Sequence, residues 1–332
     1  MIHARLRFPI VVAAALFQVA ATDADAATLY VSTTGNDADP GTRSQPFRTI
    51  SQAAQSAVPG TKIVVMGGTY KEVVQIPVGG SPGNPITIEP APGEQVILDG
   101  SDSPSNTSLV QINASYINFR GFTVRNAKRS GIAAWGTHHV NITNNKVYGN
   151  TRAGIWMGHS EPGQSYDNLI ARNEVWDNCQ ENRSRTWGSG WPQAIGLHAS
   201  DGSIIQGNRV YRNYCEGIGI QSTQGVKIIG NIVSDSFSVN VYLDNAPGTI
   251  VQSNRVYHTY DSNFYRYGKP ARGIQIANEY TGIELPSSGI TVRHNVLIGV
   301  GDVTYGTYQR GSGLIDSVIT PNTVLNPPET PK

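Results

Sequence analysis

Charge is scarce in this chain of 332 residues. Asp, Glu, Lys and Arg make up 15%, and 25 basic against 24 acidic side chains leave a net charge of +1. That balance excludes a globally basic nucleic-acid binder and an acidic, solvating tail protein. Methionine (three) and cysteine (two) are nearly missing and Leu is thin, so the residues that build helical bundles are not available. Aromatic residues reach only 8%. There is no Gly-rich phosphate loop, no Ser-centred elbow and no Cys/His spacing of a zinc site.

Long apolar runs are missing too, with one exception at the start. His3, Arg5 and Arg7 precede an apolar run from Phe8 to Ala21, and Ala24-Asp25-Ala26 follows with small residues at the positions a signal peptidase reads. The run is shorter than the ~20 residues of a membrane span and has the pattern of a secretory leader cut after Ala26. A secreted or periplasmic protein without a membrane anchor is the expectation, in a compartment where two cysteines can pair.

What the chain has in quantity is Gly (36 residues), Asn, Val, Ile and Thr, the material of strands and tight turns. An Asn-x-Val-like unit recurs at Asn145, Asn173, Asn208, Asn231, Asn254, Asn295 and Asn322, and Gly121-Phe122-Thr123-Val124 is an earlier member without the Asn. The last residue of the unit recurs at spacings of 23, 28, 35, 23, 23, 41 and 27. These read as a bare period of 23 plus insertions. Each unit holds three short strands, such as Val140–Thr143, Lys146–Tyr148 and Gly154–Met157, and leaves no room for a helix. Three strands per turn predict a parallel β-helix. Its stacked rungs share one core, and the repeated Asn points inward at a corner to bond the rungs on either side. Pro46 opens a segment with Phe47, Ile50, Ala54 and Ala57 at helical spacing, closed by Gly60. It predicts a helix capping the N-terminal end of the stack. Cys179 and Cys215 fall at nearly matching corners of successive rungs, which predicts a disulfide.

The segments Leu29-Tyr30-Val31-Ser32, Gly35-Asn36-Asp37, Pro40-Gly41-Thr42, Pro46-Phe47-Arg48-Thr49-Ile50, Pro59-Gly60-Thr61 and Gly68-Thr69-Tyr70 together resemble the N-terminal cap of the pectate-lyase-like right-handed β-helix superfamily. The resemblance implies an all-β, single-stranded right-handed parallel β-helix over residues 27–326, with the cap region at 27–70 and a Pro-rich tail at 327–332. It also implies a choice of activities: lyases and epimerases acting on uronate polymers, glycosidases, and non-catalytic surface proteins.

The strands beginning at Gly131, Gly154, Ala194, Gly217, Asn240 and Gly273 alternate, with Ile, Val, Leu and Met inward. Two outward columns result. One is Ala133, Trp156, Gly196, Gly219, Tyr242 and Gln275; the other is Trp135, Gly158, His198, Gln221, Asp244 and Ala277. Insertions around residues 179–192 and 260–270 precede this sheet, and those at 158–167 and 277–289 follow it. Loops crowded on one face of a repeat scaffold make a cleft for an extended polymer.

In the turns entering the sheet nine Lys and Arg, including Arg152, Arg212, Arg266, Lys269 and Arg272, face five acids; in those leaving it Glu161, Asp167, Asp201, Asp244, Glu279 and Glu284 stand without a base. A basic wall suits an acidic polysaccharide and an acidic cluster suits Ca²⁺; solvated turns are the alternative. Elimination from a uronate needs its carboxylate neutralised, a base for the carbon-bound proton and an acid for the leaving oxygen. Candidates are His198 with Tyr242 as acid and base, and Lys269 or Arg272 as base or carboxylate clamp. Asp244 and Glu279 are candidate Ca²⁺ ligands. Trp135, Trp156, Gln221, Gln275, Arg152 and Arg212 are candidate substrate contacts, with Trp187 and Trp191 as a lid or loop anchors. Two other readings stand beside the lyase: hydrolysis by the carboxylates of Glu216 and Asp244, and a carbohydrate-binding protein without catalysis.

Overall fold

The computed structural model describes residues 27–188, 190–279, 283, 285–305 and 314–325. The expected leader (1–26), the Pro-rich tail and Glu284 lie outside the described residues. The chain winds into three parallel sheets of 10, 9 and 10 strands. Each turn places one strand in each sheet, as in Val140–Thr143, Lys146–Tyr148 and Ile155–Gly158. The alternation that the sequence displays fills the interior: Val140, Ile142, Val147, Ile155 and Met157 are fully buried in one core running the length of the stack. No helix among the described residues is long and apolar enough to cross a membrane.

Buried asparagines hold the corners together. Asn145 Nδ2 donates to Asn173 Oδ1 at 3.1 Å, and the same bond repeats through Asn208, Asn231, Asn254, Asn295 and Asn322 at 2.9–3.1 Å. At the rung that lacks the Asn, Phe122 N donates to Asn145 Oδ1 at 3.0 Å. A second ladder, Asn150–Asn178–Asn213, runs along another corner with bonds of 2.8 and 3.2 Å. Cys179 and Cys215 form the expected disulfide, with Cα atoms 5.8 Å apart.

The cap helix is shorter than its apolar spacing suggests, spanning Ile50–Gln55. Phe47 instead forms a β-bridge with Val31, and Ser56, not Gly60, ends the helix. Thr49 caps its N-terminus, and Glu72 accepts from the Ile50 and Ser51 amides at 2.8 and 3.2 Å. These acceptors satisfy first-turn N–H groups that have no partner inside a helix. Pro46 therefore lies outside the helix, ahead of its cap.

Candidate functional site

The second sheet is the floor of the cleft. Its register pairs Ala133 with Trp156, then Gly196, Gly219, Tyr242 and Gln275, and pairs Trp135 with Gly158, His198, Gln221, Asp244 and Ala277. Both columns stand as the alternation draws them. The floor also changes along its length. The strands are four residues at Ile132–Trp135 and Ile155–Gly158, and six at Gln193–His198, Glu216–Gln221, Val239–Asp244 and Arg272–Ala277.

In the six-residue strands the alternation breaks. Period two sends Ala194, Gly217 and Asn240 outward, yet Ala194 belongs to the core, a Cβ on Gly217 would meet Val233 and Ser236, and Asn240 is fully buried. The residues before Ala194 and Gly217 turn out instead, adding Gln193 and Glu216 to the floor. A Cβ on Gly219 would run into Gln193, so this floor position takes no side chain. Gln193 escapes a period-two reading altogether, because it sits on the far side of the break.

Gln193, Glu216, Gln221, Tyr242, Asp244 and Glu279 line a cavity of about 730 Å³, roofed by Trp191 and Arg266 from the insertions. Gln193 Nε2 donates to Glu216 Oε2 at 3.1 Å. Asp244 Oδ1 accepts from the Glu279 amide at 2.7 Å, and Gln221 Nε2 lies 3.4 Å from Asp244 Oδ2. The Tyr242 hydroxyl donates to Glu279 Oε1 at 2.5 Å. Burial, and then the negative charges of Glu279 and Asp244, push the Glu216 carboxyl up to about 8 against the bond from Gln193. Burial likewise pushes Asp244 up to about 6, Glu279 adding to the rise by its charge while its amide opposes it. The cavity thus disfavours ionisation of Glu216 and of Asp244.

Arg266 is the cation set over them. It lies 4.9 Å over the Trp191 ring, its Nη2 donates to Gly188 O at 3.0 Å and its Nη1 to Ser238 Oγ at 3.3 Å. Its Nε is buried and has no partner among the described residues. The basic wall otherwise consumes part of its own charge: Arg152 pairs with Glu181 at 3.4 Å and Arg212 with Asp261 at 3.0 Å.

The structure brings together Trp191, Glu216, Gln221, Tyr242, Asp244 and Glu279 of the residues singled out in the sequence. His198 lies beside Gln221 in the floor register and lines neither described cavity; burial pushes its imidazole below the usual histidine range, opposed by the hydrogen bond it donates to Gln221 when charged. Arg272 donates to Gln275 Oε1 at 3.0 Å, and Gln275 is buried. Lys269 is exposed in a two-strand hairpin with Tyr265–Arg266, and neither it nor Arg212 lines a described cavity. Trp187 is absent from both linings as well. The insertion at 158–167 adds a strand, Ser165–Tyr166, paired with Ser200–Asp201, and contributes to neither cavity. Sequence reasoning gave Gln193 no role and counted Arg266 only as wall charge, since nothing local marks a loop arginine that folds back over a floor.

Residues 29–280 match the profile described as "Pel9A-like, right handed beta helix region". The chain belongs to the Pel9A-like right-handed β-helix family. Among curated proteins, this Pel9A-like chain is 26% identical over 210 residues to pectate lyase PEL9 of Emericella nidulans, covering 58% of the chain and 49% of that protein. It is 32% identical over 133 residues to the uncharacterized protein YwoF of Bacillus subtilis, covering 36% and 28%. The chain thus spans half or less of the curated relatives it matches.

Among solved structures it is similar in fold to an alginate lyase from Paenibacillus sp. str. FPU-7 (TM-score 0.64, 18% identity, 83% of this chain and 94% of that one). It is also similar to pectate lyase Pel9A (TM-score 0.60, 18% identity, 88% and 76%) and to a glycoside hydrolase (TM-score 0.60, 11% identity, 92% and 97%). At these identities the likeness is one of fold.

Proposed function

We propose that this Pel9A-like protein is an exported lyase that cleaves a uronate-containing polysaccharide by β-elimination in the cavity over Tyr242 and Asp244. The observation that carries the reading is Arg266, a guanidinium that lines the cavity above a floor of polar and acidic side chains. A guanidinium at a cleft is a fork of donors suited to a substrate carboxylate. Membership of a family whose described namesake is a pectate lyase agrees with this choice. Export, read from residues 1–26, is supported by the disulfide, which persists in an oxidising compartment.

In the elimination the C5–H bond breaks and its proton goes to the base. Its electrons form the C4–C5 double bond, the bond from C4 to the leaving oxygen breaks, and that oxygen takes a proton from the acid. Arg266 neutralises the carboxylate on C5, with Gln221 as a neighbouring amide donor. Tyr242, already oriented by Glu279, supplies the proton to the leaving oxygen. His198, one floor step from Gln221 and outside the lining of both cavities, is the base we assign, which requires the reacting sugar to extend along the floor past Gln221.

Calcium fits the donor chemistry of the same floor. Asp244 and Glu279 are hard oxygen ligands whose mutual repulsion a cation would relieve, although no group of three His, Cys, Asp or Glu among the described residues is arranged around a metal position. Those two residues would hold Ca²⁺, which would supply positive charge next to the substrate carboxylate.

The test is to mix the protein with pectate, alginate and glycosaminoglycans, with and without chelator, and follow the ultraviolet absorbance of unsaturated uronate ends. The reading expects such ends from at least one polymer and their loss in Arg266→Ala. A second reading rests on Glu216 and Asp244, whose carboxyls sit at about 8 and about 6 in one cavity, as an acid and a base of a glycosidase do. New reducing ends without the absorbance would establish hydrolysis. Retention on a polymer column with neither product would establish a binder.

A further inference from the structure

We infer that the cleft continues beyond the carboxylate cavity into a second binding site, built from Trp135, Trp156, Arg129 and Arg152, for an anionic sugar residue of the same polymer chain. The inference rests on the polysaccharide reading above and extends it to the length of chain the protein grips.

A separate cavity of about 580 Å³ lies over the four-residue strands of the floor, lined by these four side chains together with Gln111 and Ala133. Trp135 is 49% exposed, a large apolar surface left in water that calls for a partner. Its ring stacks on Trp156 with centroids 5.3 Å apart and planes 23° apart. Another tryptophan of this protein shows what a purely structural ring looks like. Trp176, on the third sheet, is stacked between Tyr148 at 4.4 Å and Tyr211 at 5.8 Å, so both of its faces are used. Trp135 has Trp156 on one side and the tilted His159 ring near it, and still leaves half of its surface open beside a cavity. Ala133, small and in the same floor column as Trp156, leaves room in front of the rings.

The polar lining supplies the sign of the ligand. Arg129 Nη1 donates to Asn106 Oδ1 at 2.8 Å, and the Arg152 guanidinium lies 3.4 Å from Glu181. Two guanidinium groups against one carboxylate leave a positive excess, suited to a carboxylated sugar. A pyranose offers both features at once: an apolar C–H face for the rings and an equatorial carboxylate for the arginines.

The two cavities share Trp191, Gln193 and Gln221, so one chain can run through both. From Ala133 to Tyr242 the floor register takes four steps. With strands ~4.8 Å apart, comparable to a sugar residue in an extended chain, a ligand reaching both sites needs about five residues. Affinity should therefore keep rising with oligomer length past the trimer.

The experiment measures binding of end-labelled uronate oligomers, dimers to hexamers from pectate and from alginate, by stopped-flow fluorescence anisotropy in the first moments after mixing. Full-length protein should gain about tenfold in affinity between trimer and hexamer for one of the two series. Trp135→Ala and Arg152→Ala should each lose most of that gain, and Trp135→Phe, which keeps an aromatic face, should recover part of it. Neutral cello-oligosaccharides should show no such gain. A gain as large in both alanine variants as in the parent overturns the proposal, and so does a parent that shows no length dependence with either series. Length-dependent binding without unsaturated products would sink the lyase reading and leave this site standing. Unsaturated products with length dependence untouched by the variants would do the reverse.

Discussion

The Tyr242 hydroxyl reaches across to Glu279, 37 residues further along the chain, and ties the floor to the loop that leaves the following rung. This bond orients the phenol towards the cavity and connects it to the carboxylate that lies next to Asp244. Removing the hydroxyl alone is therefore an informative lesion. Tyr242→Phe should lower kcat about 10²- to 10⁴-fold with little change in folding, the range for loss of a positioned acid. Steady-state rates on the polymer that yields unsaturated ends check this, with the melting temperature as control. An unchanged kcat would remove Tyr242 from the chemistry.

Glu216 makes stability depend on pH in a direction opposite to that of a salt-bridged carboxylate. Its folded carboxyl is raised from the usual 4.5 to about 8. Between those values the folded protein holds a proton that the unfolded chain has released, so stability falls as pH rises through this window and levels off above it. The effect is on the order of a few kcal/mol. Denaturant unfolding in chelator from pH 4 to 9 should show the decline, and Glu216→Gln should flatten it. An identical slope in the variant would place the proton elsewhere.

Calcium binding should oppose protonation of Asp244, whose carboxyl is raised to about 6. Added Ca²⁺ should thus raise the melting temperature more at pH 7 than at pH 5, because the ligand must be ionised to coordinate. Asp244→Asn should abolish the shift. A calcium effect equal at both pH values, or retained in the variant, would move the ion to another part of the molecule.

The corner ladder predicts a stability loss without a packing defect. Asn231 Oδ1 accepts from both the backbone and the side-chain nitrogen of Asn208, and its Nδ2 donates to Ile205 O at 2.9 Å. Asn231→Leu strands these buried groups, at about 1–3 kcal/mol for each left unsatisfied. Urea unfolding should show a fall of several kcal/mol; a loss within experimental error would mean that water replaces the amide.

The disulfide joins positions separated by 36 residues. Chain entropy gives about 3–4 kcal/mol for closing a loop of that size. The double variant Cys179→Ala, Cys215→Ala should unfold at a correspondingly lower denaturant midpoint. It should also loosen the insertion after Cys179 that brings Trp191 over the cleft, seen as a raised KM.

Much of this architecture was legible before any coordinates, and the parts that were not share a cause. The spacing of Asn145, Asn173 and Asn208 and the alternation around Ile155 and Ile218 state the winding and both floor columns, because a repeat writes the same local rule many times. Gln193 escapes that rule where it fails, at the inward turn of Ala194, Gly217 and Asn240, and Glu216 on the same side of the break is legible only as a carboxylate, not as part of the floor. Arg266 and Lys269 illustrate the other limit. They stand three residues apart in one hairpin, yet only Arg266 lines the cleft, a choice made by packing on Trp191 and not by spacing. Phe47 shows the same competition at the cap, where pairing with Val31 outweighs a helical pattern.

Where rungs carry no insertion, each strand meets its partner 23 residues on, as Ile204 meets Lys227 and Lys227 meets Ile250. Such a scaffold works as a ruler with interchangeable divisions. Duplicating one whole division would extend the trough by a further sugar's length while every column and amide ladder stays in step. Deleting a single residue within a strand would turn the rest of that strand to the opposite face.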